Sequence, residues 1–85
     1  MRRAARTDAN HRAIKRALEQ CGWYVIDTHT LPGFVDLVAK HAAWGLKLIE
    51  VKTAKGTLTP AQENLRSHGW PVVILRSVED AAALR

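Results

Sequence analysis

Residues 46–52 constrain this chain most. Leu46, Leu48, Ile49 and Val51 dominate a seven-residue run bounded by turn-forming residues, which predicts a strand. Strand side chains alternate between two faces. Glu50 and Lys52 therefore share a face with Leu46 and Leu48, while Ile49 and Val51 face the other way. A carboxylate and an ammonium group close an otherwise apolar strand. Two readings of that charged end are open: a strand running out into solvent, or a chemical site.

The rest of the chain supplies partners for this strand. Residues 23–28 and 34–40 read as two further strands, separated by a loop carrying Pro32 and Gly33. In the second of these, Val35, Leu37 and Ala39 are assigned to one face and Phe34, Asp36 and Val38 to the other. Residues 70–76 form a last strand, apolar on both faces through Val72, Val73, Ile74 and Leu75 and so expected to be covered on both sides.

Three helices complete the pattern. Thr7 or Asp8 is the expected cap of the first, which runs to Gln20 or Cys21 and stops at Gly22. At 3.6 residues per turn, Ala13, Ile14, Ala17, Leu18 and Cys21 form its apolar stripe, with Asn10 in line one turn earlier. Arg12, Lys15, Arg16 and Glu19 lie opposite. The second helix opens at Thr59-Pro60-Ala61-Gln62, a capping box with proline at its first position, and ends at Gly69. Ser77 caps a short terminal helix. The order α-β-β-β-α-β-α predicts an α/β (α+β) domain with helices on a mixed central sheet.

Eighty-five residues suit one domain, expected over 7–85 behind a flexible basic tail at 1–6. Such a chain buries roughly 60% of its unfolded surface, so its core is modest. The formal net charge is +5, and six of the thirteen basic residues fall within the first sixteen positions: Arg2, Arg3, Arg6, Arg12, Lys15 and Arg16. That arm suits an anionic polymer, nucleic acid before membrane. A single cysteine, Cys21, forms no internal disulfide and fits a reducing, intracellular (cytoplasmic) setting. Neither a signal peptide nor an apolar run of about 20 residues is visible, so no membrane role is expected.

The two middle strands bring a second carboxylate to the first. An antiparallel hairpin turning at Ala43 places Asp36 opposite Glu50, each seven positions from the turn. Opposed Cβ atoms lie about 4.5–5.5 Å apart, a destabilising distance for like charges unless something neutralises them. A hard divalent cation held by oxygen ligands would do so. Lys52, two residues on, would steady a bound water or the charge of a pentacovalent phosphate. Acid, acid, lysine and a basic arm together point to phosphodiester hydrolysis; the competing reading is a solvated Glu-Lys pair beside a hairpin surface charge. His29 is expected at the surface of its loop. His11, His41 and His68 show no zinc-ligand spacing with one another or with Cys21. Cys21 is expected in the core, and Trp23, Trp44 and Trp70 in the core or a dimer interface.

Three segments, 33–38 (Gly-Phe-Val-Asp-Leu-Val), 50–52 (Glu-Val-Lys) and 58–62 (Leu-Thr-Pro-Ala-Gln), resemble the PD-(D/E)xK nuclease superfamily. They are most similar to its VRR-NUC branch, in particular to small stand-alone members from phage and bacteria. The likeness extends over about residues 8–82 and includes the strand that begins Gly69-Trp70-Pro71-Val72-Val73. It implies a restriction-endonuclease-like core and Mg²⁺- or Mn²⁺-dependent DNA cleavage without an organic cofactor. Asp36, Glu50 and the Val51 carbonyl would hold the metal, Lys52 would be the catalytic lysine, and Gln62 would lie beside them. Asn10 would stand where many relatives carry an acid on the first helix, and Val35 replaces the proline in the motif's name. The resemblance further implies a homodimer acting on branched DNA, as Holliday-junction resolvases do. Arg3, Arg6, Arg12, Lys15, Arg16, Lys40, Lys55 and Arg66 are candidate phosphate contacts. The alternative is a nucleic-acid-binding module that keeps the fold with little catalysis, a reading favoured by Asn10 in place of an acid.

Overall fold

A computed structural model describes residues 3–85, with side chains from residue 9 onward. The element order is α1 (Arg3–Gln20), β1 (Tyr24–Asp27), β2 (Leu37–His41), β3 (Gly45–Val51), α2 (Pro60–Ser67), β4 (Val72–Leu75) and α3 (Val78–Ala83). This is an α+β domain with the expected order. The four strands form one sheet in the order β1-β2-β3-β4. The pairs β1–β2 and β2–β3 are antiparallel, and β3–β4 is parallel, with α2 in the crossover. None of the described helices is long and apolar enough to cross a membrane.

Two cores sandwich the sheet. On one side Ile14 and Leu18 of α1 and Ala81 of α3 pack against Trp23, Leu37, Ala39, Ile49, Val51 and Leu75. On the other side Leu48 and Val72 pack with Val35 and Leu58, beside Leu65 of α2. Burial of β4 on both faces follows from this layering. The β3 alternation is as expected, with Ile49 and Val51 toward α1 and Leu48 away from it.

The hairpin register also matches: His41 pairs with Gly45 and Leu37 with Ile49, so the next step brings Asp36 to Glu50. There the ladder breaks. The Asp36 N–H bonds the Ile49 carbonyl at 3.0 Å rather than that of Glu50. The chain bends at Asp36, so β2 starts at Leu37, later than expected. Val35 consequently joins the α2-side core and not the core of Leu37 and Ala39, which corrects the simple alternation.

Three readings of α1 also change. It starts at Arg3, so Thr7 and Asp8 lie inside it; Ala4 and Ala5 favour helix, and neither glycine nor proline intervenes. Arg2 and Met1 lie outside the described residues. Ala13 and Cys21, assigned to the apolar stripe, are exposed. The stripe narrows to Ile14, Ala17 and Leu18, while His11 and Lys15, half-buried, turn toward β1. Trp23 is a core residue; Trp44 and Trp70 are exposed.

The other two predicted caps, Thr59 and Ser77, are present. Thr59 accepts from the Gln62 N–H and the Gln62 side chain accepts from the Thr59 N–H, with Pro60 at the helix start. Ser77 caps α3 through the Asp80 N–H.

Candidate functional site

The charged end of β3 does not run into solvent. Glu50 is 6% exposed, on the side of the sheet away from α1. Its Oε2 lies 3.2 Å from Lys52 Nζ. Its Oε1 is buried with no hydrogen-bond partner. Burial, and then the neighbouring Asp36, push the Glu50 carboxyl above the usual carboxylate range, while Lys52 and the nearby Gln62 amide pull it back. An unpartnered carboxylate oxygen at this depth carries a desolvation cost that a ligand would remove.

Asp36 is half-buried at the bend before β2. Its Oδ2 accepts the Val51 N–H at 2.9 Å. Its backbone is held from the other side, where the Thr28 N–H donates to the Asp36 carbonyl at 2.8 Å. Both carboxylates are thus fixed by strand geometry, at the place where the β2–β3 ladder opens.

Gln62 is 4% exposed and bonded at both ends of its amide. Oε1 accepts from the Thr59 N–H at 3.0 Å, and Nε2 donates to the Phe34 carbonyl at 2.9 Å. It therefore caps α2 and ties that helix to the segment entering Asp36. Asn10 is half-buried on α1, whose core residues pack on the opposite side of the sheet from Glu50. Among the described residues no hydrogen bond joins Asn10 to Asp36, Glu50 or Lys52.

Two residues that sequence patterns do not single out shape the neighbourhood of Lys52. Gly56 lies against its side chain: a Cβ there would sit 2.9 Å from Lys52 Cδ and 3.1 Å from its Cβ. Arg76 Nη1 donates to the carbonyls of Thr53 at 2.6 Å, Gly56 at 2.7 Å and Ala54 at 3.3 Å, so it braces the loop that follows Lys52. A glycine in a loop and an arginine after a strand carry no distinctive spacing.

The candidate phosphate contacts divide between the two faces. Arg66 is exposed on α2, Lys55 on the loop after β3 and Lys40 on β2. Arg12 and Arg16 are exposed on α1, and with Lys15 and Glu19 they line a shallow depression. The side chains of Arg3 and Arg6 lie outside the described residues.

A second polar group lies on the α1 side. Asp27, which pairs with Leu37 across β1–β2, is met by His11 of α1 and by His29 of the following loop. His29 is exposed, as expected, but it bonds Asp27 and sits edge-on to His11. Burial raises the Asp27 pKa; hydrogen bonds and charge from His29 and His11 outweigh that and leave it lowered.

Comparison with protein-family models, curated proteins and solved structures finds no match for the chain.

Proposed function

We propose that this protein is a metal-dependent phosphodiesterase acting on nucleic acid, a DNA endonuclease whose site comprises Asp36, Glu50 and Lys52. The observation that carries the reading is Glu50. A buried carboxylate beside a second carboxylate, with one oxygen lacking any partner, suits a hard divalent cation. The oxygen-only donor set of Asp36, Glu50 and the Val51 carbonyl matches Mg²⁺ or Mn²⁺. When bound, such a cation supplies Lewis-acid polarisation of a phosphoryl oxygen and acidifies a bound water. Asp36, held by the Val51 N–H, keeps its carboxylate aimed without rotamer search. Lys52 provides a positive charge beside the attacking water and the developing phosphorane. Gln62 positions the approach to Asp36 through the Phe34 carbonyl.

Nucleic acid reaching Lys52 passes the α2 side, where Lys55 and Arg66 would meet phosphates. Branched DNA as preferred substrate, and an intracellular setting, belong to the same proposal through the resemblance to VRR-NUC nucleases. A homodimer is part of it too. Tyr24, Lys40 and Leu46 are register partners across three strands, and Tyr24, Ile26, Leu46 and Trp70 are exposed. Pairing would bury that apolar surface.

The second reading, a binding module without catalysis, is favoured by the Lys52–Glu50 ion pair, in which the lysine already offsets the buried charge. Incubating labelled four-way junction and plain duplex with the protein in Mg²⁺, Mn²⁺ or EDTA separates the two. Cleavage in metal that stops in EDTA supports hydrolysis; metal-independent binding without cleavage supports the module.

A further inference from the structure

We propose that His11, Asp27 and His29 form a second cation site, one for a borderline divalent metal such as Zn²⁺, independent of the hydrolytic reading above. The three residues come from three places: α1, the end of β1, and the loop after it. One ligand atom from each lies within 4.8 Å of the others. His11 Nε2 is 3.1 Å from Asp27 Oδ2 and 3.2 Å from Oδ1. Zn²⁺ bonds of 2.0–2.1 Å in a tetrahedron separate neighbouring ligand atoms by about 3.3 Å, so these side chains need little movement to close on an ion. The imidazole rings meet edge-on, with centroids 5.2 Å apart at 64°, so they converge on the carboxylate without stacking.

The surroundings are open on one side. The His11 side chain is 12% exposed, Asp27 33% and His29 51%. Solvent can therefore fill the fourth position left by three protein ligands. Lys15 Nζ sits 3.8 Å from Asp27 Oδ2 and competes for the carboxylate. Its flexible stem lets the ammonium swing to water when a metal arrives.

Two chemically different cation sites then share one sheet. Asp36 and Glu50 offer oxygen only, which suits Mg²⁺; His11, Asp27 and His29 offer two imidazoles and one carboxylate, which suit Zn²⁺, Co²⁺ or Ni²⁺. The second site is braced to the first. Thr28, between Asp27 and His29, donates its N–H to the Asp36 carbonyl and its hydroxyl to the Val35 carbonyl, both at 2.8 Å. A metal held there fastens α1 to the strand and loop that buttress Asp36.

The test uses tag-free, full-length protein with Zn²⁺ and Co²⁺ as probes. Calorimetry should give one Zn²⁺ per chain, Co²⁺ should show the visible absorption of a low-coordinate site, and excess Zn²⁺ should raise Tm while equal Mg²⁺ does not displace it. His29→Ala, at an exposed position, and His11→Gln should each weaken Zn²⁺ binding by more than about tenfold, and Glu50→Gln should leave it unchanged. Absence of Zn²⁺ binding in the wild-type protein overturns the proposal. So does binding that survives both histidine variants, or that is lost in Glu50→Gln.

Discussion

The carboxylate of Asp36 accepts the backbone N–H of Val51 at 2.9 Å, binding the entry of one strand to the exit of its neighbour. Asp36 lies at the bend where the β2–β3 ladder ends, and Val51 separates Glu50 from Lys52. One hydrogen bond thus fixes an aspartate relative to a glutamate and a lysine on the other strand. The same bend carries Val35 across the sheet into the α2-side core, which anchors the turn by burial.

Glu50 makes the domain's stability depend on pH in a definite direction. Its pKa is raised in the folded state, so the folded chain holds that proton more tightly than the unfolded chain. Stability from this group is present below the ordinary carboxylate pKa and is lost as pH rises through the raised value. Glu50→Gln should therefore be more stable than wild type at neutral pH in EDTA, with the gap closing below about pH 4. Thermal melts from acidic to neutral pH measure this. Mg²⁺ should raise the neutral-pH midpoint of the wild type and leave that of Glu50→Gln in place.

Gly56 sets the position of Lys52. Gly56→Ala puts a methyl group 2.9 Å from Lys52 Cδ and forces the lysine to shift. Misplacement by about 1 Å is enough to cost up to about 100-fold in rate. Cleavage should fall at least about tenfold, and crowding beside the half-buried lysine should cost about 1 kcal/mol or more of stability. Equal activity in the variant would remove Gly56 from the account.

Gln62 is a test of structure rather than of chemistry alone. Gln62→Ala removes half of a capping box and the bond to the Phe34 carbonyl. The expected loss is about 1–2 kcal/mol by urea unfolding. Thr59→Ala removes the cap alone and should cost less, about 1 kcal/mol, with cleavage less affected.

How much of this was legible in the sequence depends on the range of the interaction. The Thr59–Gln62 cap, the Ser77 cap and the turn at Ala43 are local, and each is where its pattern placed it. The alternation of β3 was readable because burial on each face repeats every second residue. The bend at Asp36 was not, because it is set by a side chain bonding another strand. The face of α1 departs from simple helical periodicity for a similar reason. Asp27 draws His11 and Lys15 inward, while Cys21, at the helix end beside Gly22, has no core surface to meet. Asp27 and His29 stand only two residues apart, but His11 lies sixteen positions away and joins them only through the packing of α1 on β1. Arg76 braces its loop from 20 or more positions away.

Under the proposed function, the placement of basic residues predicts which of them contact nucleic acid. Lys55→Ala with Arg66→Ala should weaken binding and lower the slope of log affinity against log salt by about two. Arg12→Ala with Arg16→Ala, on the far side of the sheet, should change the slope less. Fluorescence anisotropy over a salt series distinguishes them, and the reverse order would move the DNA to the α1 face.

The most direct test of the central claim is single-turnover cleavage of a labelled four-way junction in Mg²⁺ by wild type, Asp36→Ala and Lys52→Ala, each first shown to melt cooperatively. The wild type should cut, each variant should lose about 100- to 1,000-fold or more, and none of them should cut in EDTA. Cutting at the wild-type rate by either variant, or by the wild type in EDTA, would contradict that claim.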